Sequence, residues 1–372
     1  MESKTTENIA AELLHSAGIT VNGHQPWDII VHDERFYQRA LTENALGLGE
    51  SYMENWWDCP RIDMFFDRVL TAHLENKIKK NTRLLFKFLI FKLVNLQTKR
   101  RALDVGKKHY DIGNVLFEKM LDSRMNYTCG YWKNAQNLDE AQLAKLELTC
   151  QKLALKPGMR LLDIGCGWGA LAKYAAEKYG VSVVGVTISE QQRDYAQKNC
   201  AGLPVDIRFQ DYRDVKEKFD RISSLGMFEH VGHQNYETYM KIVHDCLKDD
   251  GLFLLHTIGD NLTSVPNEWI TKYIFPNGML PSITLIGKSI EGLFVMEDWH
   301  NFGADYDKTL MAWQHNFAAH WNELKNEYDE RFHRMWNYYL LSCAGGFRSR
   351  TVQLWQVVLS KAGVRGGYLA PR

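Results

Sequence analysis

The sequence predicts an α/β fold: a mostly parallel sheet with helices on both faces and an antiparallel last strand, joined to a smaller, mainly helical N-terminal domain. Three observations predict it. Short apolar segments alternate with helical ones between residues 160 and 257, and that alternation builds parallel sheets. The first of them runs into Leu161–Ala170, LLDIGCGWGA, where Gly165, Gly167 and Gly169 mark a tight turn between a strand and a helix. At 372 residues the chain exceeds the roughly 250–300 at which one core stops growing, so two domains are expected.

The N-terminal part opens with a helical pattern over residues 5–20 and an aromatic-rich stretch, Ser51–Arg68, broken at Pro60. In Leu84–Leu96, LLFKFLIFKLVNL, the apolar residues fall almost all round a helical wheel. A one-sided stripe would mark an ordinary surface helix. An all-round one implies burial in a core, against a second chain, or in a lipid surface. Between Lys77 and Lys108 the basic residues are opposed only by Asp104. Such a run holds anionic lipid at about 1 kcal/mol per residue near a membrane, binds nucleic acid, or is simply a solvated linker. The domains expected are residues 1–96, helical; 97–108, a linker; and 109–372, the catalytic domain.

An aromatic segment, His109–Trp132, and a helix over Asn137–Leu155 precede the alternating region. Strands are then expected at Arg160–Ile164, Val181–Thr187, Val205–Phe209, Phe219–Leu225 and Leu252–Thr257, the last after a turn at Asp250–Gly251. Helices are expected at Gly169–Tyr179, Ser189–Cys200 with Ser189 as N-cap, and Asn235–Leu247. An insertion follows over Gly259–Leu293, then a sixth strand at Phe294–Phe302. A mostly helical region, Tyr306–Leu341, ends at Gly345–Gly346, and Thr351–Ser360 is the last strand. Ligands of such sheets bind beyond the carboxyl ends of the strands, so the loops there are where chemistry is expected.

Composition narrows the function. Lys plus Arg and Asp plus Glu both number 45, so no global field attracts nucleic acid. The seven cysteines contain no C-x-x-C pair, which argues for a reducing compartment and against a zinc site. No apolar run nears the eighteen or so residues of a spanning helix, and the N-terminus lacks a signal-peptide pattern. A cytoplasmic protein is expected, touching the inner face of a membrane at most peripherally.

The glycine spacing is G-x-G-x-G with Asp163 ahead of it, not the G-x-G-x-x-G of dinucleotide sites, and strand two ends in Thr187–Ile188–Ser189 without the acid such sites place there. That variant resembles the first motif of Rossmann-like S-adenosylmethionine (SAM) methyltransferases. Asp163 and the glycines read as the SAM cradle. The resemblance becomes specific over nearly the whole chain. GLGESYMENWW, HYDIGNVLF, YTCGYW, LLDIGCGWG, VVGVTIS, GMFEHVG, LLHTIG, KYIFPNG, MEDWHNFGADYD and TLMAWQHNF are together similar to cyclopropane-fatty-acyl-phospholipid synthases. The resemblance implies transfer of a methylene from SAM to the cis double bond of an unsaturated phospholipid acyl chain, with bicarbonate as base. It implies that Cys129, Glu229, His256, Ile258 and Tyr306 hold the bicarbonate. It points to Tyr127, Thr128, Gly165, Gly167, Thr187, Ile188, Gln192 and Tyr212 for SAM, although relatives often carry Trp where Tyr212 stands. Tyr127, Trp132, Phe302 and Tyr306 are candidates to face a cationic intermediate. No metal is implied. A membrane surface is the expected partner, and a homodimer is the other use of the apolar 84–96 segment. The alternative reaction is methylation of a lipid or small molecule without ring closure.

Overall fold

The computed structural model describes residues 2–74 and 113–372. The apolar segment 84–96, the linker 97–108 and the basic run lie outside the described residues. The chain forms two compact units. One takes residues 2–74, 265–276 and 306–352, the other residues 113–264, 277–305 and 353–372.

In the first unit, α1 (Glu2–His15), α2 (Arg35–Met53) and α3 (Ile62–Thr71) come from the N-terminal part, with β1 (Ile30–Val31) and β2 (Trp57–Asp58) as a small antiparallel pair. Trp57, fully buried, is ringed by Phe36, Tyr52, Phe65 and Tyr338. Fully buried Asp63 accepts from Arg61 and from Arg348 at 2.7 Å each. Gly345 and Gly346, expected to end a helix, instead lie inside one that runs to Arg348. Packing explains this: a Cβ at Gly345 would stand 2.6 Å from the Asp63 carbonyl oxygen, so glycine permits the close approach of α3.

The second unit begins with α4 (Asn114–Met120) and α5 (Leu138–Lys152), followed by the alternating region. Its elements are β3 (Arg160–Ile164), α6 (Ala170–Tyr179), β4 (Ser182–Thr187), α7 (Glu190–Asn199), β5 (Val205–Phe209), β6 (Phe219–Leu225), α8 (Tyr236–Cys246) and β7 (Leu247–Asp260). The region expected as an insertion carries α9 (Glu268–Tyr273), which belongs to the first unit, and α10 (Ile283–Ile290). Then come β8 (Val295–Asn301), α11 (Ala304–Ala319), α12 (Trp321–Leu324), α13 (Glu330–Arg348) and β9 (Val352–Ser360). Seven strands form one sheet in the order β5-β4-β3-β6-β7-β9-β8. The β3–β4, β3–β6, β4–β5 and β6–β7 pairs are parallel, and β8 and β9 pair antiparallel. The fold class is therefore the expected one.

One detail of the sheet differs from expectation. The turn at Asp250–Gly251 is absorbed into β7: Phe219 pairs with Leu247 and Arg221 with Leu252, so the extra residues bulge out of the ladder. Side chains alternate between the two faces of the sheet. Leu161, Val183, Leu254 and Val358 pack with Leu146 and Cys150 of α5 and with α6 and α7. Leu162, Val184, Phe253 and Val357 pack with α8 and α10. On α5, however, Gln142, Lys145, Thr149 and Lys152 are all essentially inaccessible. Their spacing of three and four residues puts them on one face of the helix.

Candidate active site

The turn after β3 is fastened to its neighbour by Gly165 and Cys166, whose N–H groups donate to the Val186 carbonyl at 2.9 and 3.1 Å. Gly167 and Gly169 both have positive φ, +54° and +86°, yet they serve different ends. A Cβ on Gly169 would lie 3.1 Å from Ala196 Cβ and 3.2 Å from Cys200 Sγ, so this glycine lets α7 pack against the turn. A Cβ on Gly167 would meet nothing within 4 Å. That open side, at the N-terminus of α6 with its unpaired N–H groups, suits a polar ligand approaching the backbone. Beside it, Thr187 Oγ1 accepts from Ser189 N at 3.2 Å and donates to Gln192 Oε1 at 2.9 Å. Ser189 caps α7 as expected, accepting from Gln192 N. Ile188, half-buried, lies between the two.

Close approaches bring the other loops to the same edge. A Cβ on Gly165 would be 2.8 Å from Met227 Cβ, and one on Gly226 would be 2.7 Å from Thr128 Cγ2. The Tyr127–Thr128 segment therefore abuts the loop after β6, which abuts the glycine turn. Tyr127 packs edge-on to Phe117 at 5.1 Å. Thr128 is held through its carbonyl by Gln142 Nε2 at 2.7 Å and through its hydroxyl by Lys145 Nζ at 3.0 Å. Two residues expected at the cofactor turn inward. Asp163 is buried and accepts from Ser223 Oγ at 2.9 Å. Burial lifts its carboxyl to about 6, against the pull of Ser223 and Lys145. Tyr212 lies in the core on the α8 face, 5.1 Å from the Tyr239 ring.

Four of the residues expected to hold an anion, Cys129, Glu229, His256 and Ile258, belong to the second unit. Glu229, in the loop after β6, is buried, and burial raises its carboxyl to about 7. Its Oε1 accepts the Ile258 N–H at 2.7 Å, a group expected to face the anion itself. Its Oε2 is buried with no hydrogen-bond partner among the described residues. His256, paired in register with Leu225, is 1 % exposed, and its Nε2 is likewise buried and unpartnered. Burial, seconded by Lys145 and Lys152, holds its pKa far below the usual histidine value, so the ring is neutral. Phe302 stands against it at 5.8 Å, within a group that includes Tyr131 and His300. Cys129 is fully buried and points its thiol at the Gly130 carbonyl, 3.2 Å away. Tyr306 is the fifth. It falls in the first unit, against Trp313 and Phe347.

Two orphaned polar atoms, one carboxylate oxygen and one imidazole nitrogen, fit a small ligand that both donates and accepts hydrogen bonds. Bicarbonate is such a ligand. Sequence reasoning missed the polar layer beneath: Lys145 Nζ donates to Asn126 Oδ1 at 2.8 Å, burial brings its pKa down to about 8, and Lys152 pairs with Asp298 at 3.2 Å. The signal available in the sequence is the 142-145-149-152 spacing, which lines four polar residues along one helix face.

The chain is similar to known proteins along most of its length. The profile of the family described as mycolic acid cyclopropane synthetase matches residues 97–357. Cyclopropane-fatty-acyl-phospholipid synthase of Escherichia coli (strain K12) is 58 % identical over 365 residues, covering 98 % of this chain and 95 % of that protein. The cyclopropane synthase MmaA2 from Mycobacterium tuberculosis superimposes with a TM-score of 0.67 at 30 % identity, covering 72 % of this chain and 100 % of the other. Mycolic acid cyclopropane synthase CmaA1, complexed with SAH and CTAB, does so with a TM-score of 0.66 at 33 % identity, covering 70 % and 98 %.

Proposed function

This chain belongs to the mycolic acid cyclopropane synthetase family, and we propose how its site carries out the family's chemistry. The protein is a SAM-dependent enzyme. It transfers the methyl carbon of SAM to the cis double bond of an unsaturated phospholipid acyl chain and closes a cyclopropane ring. The other products are S-adenosylhomocysteine and a proton. The single observation that carries the site assignment is the pair of buried, unpartnered atoms, Glu229 Oε2 and His256 Nε2, at the carboxyl edge of the sheet that bears the glycine turn.

The residues divide the work. Gly165, Gly167, Thr187, Ile188, Gln192, Tyr127 and Thr128 are proposed to hold SAM, with Gly167 leaving room for the ligand at the α6 N-terminus. Asp163 supports the turn from beneath through Ser223. An alkene is a weak nucleophile, so holding it in line with the methyl group supplies much of the rate. The cation that follows is stabilised by aromatic faces, a role that the 5.8 Å approach of Phe302 to His256 supports for Phe302. Ring closure then requires loss of a proton from the transferred methyl. No described side chain here is a free base of ordinary strength. Glu229 is raised by burial and already accepts one N–H. We propose that bicarbonate is the base. His256 and the Cys129 backbone hold its oxygens, and Glu229 Oε2 accepts its O–H, which raises the basicity of the rest. Ile258 acts through Glu229. Tyr306 stays in the proposed set on the resemblance alone, and Tyr212, in the core, supports the strand end.

The lipid substrate requires access to a bilayer. No helix among the described residues is long and apolar enough to cross a membrane. We propose peripheral docking on the inner face through the Lys77–Lys108 run and the Leu84–Leu96 segment, with self-association of that segment as the competing outcome. The reaction is tested with methyl-labelled SAM and unsaturated phospholipid vesicles. Proton NMR of the lipid should lose olefinic signals and gain upfield ring protons. Label entering with the olefinic signals intact would establish methylation without ring closure instead.

A further inference from the structure

A chain of buried side chains runs from α5 to His256 and fixes which nitrogen of that ring carries its proton. Thr149 Oγ1 donates to the Lys145 carbonyl, one helical turn back, at 2.8 Å. Its only hydrogen is used there, so toward any other neighbour the oxygen accepts. Gln356, on β9, is fully buried and lies 3.3 Å from Thr149 Oγ1 through Nε2. The amide must therefore present its NH₂ end to Thr149, because its carbonyl there would set two acceptors against each other. The same Nε2 is 3.3 Å from His256 Nδ1. An amide NH₂ has two hydrogens, one for each partner. His256 Nδ1 is then an acceptor, and in a neutral imidazole the proton sits on Nε2.

We propose that Gln356, oriented by Thr149, is a positioning residue that holds His256 in the Nε2–H tautomer, so that the unpartnered Nε2 offers a hydrogen-bond donor to the anion. The opposite tautomer would offer a lone pair and repel it. The arrangement lies within one unit of the molecule, and the alternation of β7 and β9 brings His256 and Gln356 to the sheet face that α5 covers. No hydroxyl or water need reorient as the anion arrives, because the donor is set by residues already buried. A preorganised donor of this kind is worth more than one that must turn into place. The inference rests on the reading of His256 as a ligand of bicarbonate and names what makes it a competent one.

The experiment uses the full chain labelled with ¹⁵N-histidine. Long-range ¹H–¹⁵N correlation reads the tautomer, and the His256 signals are identified by their loss in His256→Gln. The wild type should show a protonated Nε2 and a bare Nδ1. In Gln356→Glu the carboxylate can only accept, so the ring should protonate Nδ1, and kcat should fall about 10²-fold, the scale of one lost preorganised donor, with KM for SAM unchanged. Thr149→Val should give mixed tautomers and a lower kcat, while Thr149→Ser, which keeps the hydroxyl, should restore both. A wild-type ring protonated on Nδ1, or Gln356→Glu at full kcat, overturns the proposal. Should Gln356→Glu not fold, the wild-type tautomer and the Thr149 pair decide it. His256→Gln separates the two levels. If it is inactive while the Gln356 and Thr149 variants are normal, only this inference fails. If it is fully active, the reading of His256 as an anion ligand fails first.

Discussion

Ile258 N–H donates to Glu229 Oε1 at 2.7 Å, leaving the second oxygen of the same carboxyl buried and unpartnered. One oxygen thus anchors the side chain to the end of β7, and the other is available to a ligand. The bond favours the ionised form, yet burial prevails and the carboxyl sits near 7. Glu229 is therefore a group whose charge changes in the working pH range.

Glu229→Gln keeps the anchor, since the amide oxygen still accepts from Ile258, but loses the charge that accepts the ligand's O–H. Turnover should drop about 10²–10³-fold while SAM binding, measured by calorimetry, is retained. Wild-type kcat should rise with pH through about 7, as the carboxyl ionises, and the variant should show no such step.

The same shift has a consequence for stability. Glu229 goes from 4.5 in its ordinary state to about 7 when folded, and Asp163 from 3.8 to about 6. Between those limits the native state binds more protons than the unfolded one, so stability falls as pH rises. The contribution is whole below about pH 4 and gone above about pH 7. Urea midpoints followed across that window should decline for wild type and decline less for Asp163→Asn, whose amide has no proton to lose. Identical slopes would contradict the burial-driven shift.

The two glycines with different surroundings should fail differently. Gly167→Ala puts a methyl into the open side of the turn and strains a positive φ, costing on the order of 1–2 kcal/mol, and it should raise KM for SAM more than it lowers the melting temperature. Gly169→Ala drives a methyl toward Ala196 and Cys200 and should act the other way round, mainly on stability.

Docking through the basic run predicts sedimentation with anionic vesicles that high salt abolishes, because exposed charges are screened beyond about 10 Å at 0.1 M. Binding that ignores salt would leave the apolar 84–96 segment as the sole lipid contact. No vesicle binding, with a dimer in solution, would assign that segment to self-association.

Much of this was legible in the sequence because it is local. Strand periodicity, the glycine turn and the Ser189 cap each show within a few residues, and parallel topology sets His256 beside Leu225, the end of β6 from which the Glu229 loop leaves. What was hidden depends on partners far along the chain. Gly345 reads as a helix stop until α3 is packed on it. Nothing local in the helix over 137–155 shows that Thr149 meets Gln356 or that Lys145 meets the Asn126–Thr128 loop. Ile258 enters the anion set through the resemblance alone, and nothing in the local sequence shows that its N–H donates to Glu229.

Turnover measured in buffer stripped of carbon dioxide, then titrated with bicarbonate, tests the central claim most directly. Wild-type activity should be low and recover saturably, with Glu229→Gln and His256→Gln requiring far more bicarbonate or failing to recover. Full activity of the wild type in the stripped buffer, unchanged on titration, would contradict an anion held at the end of β7.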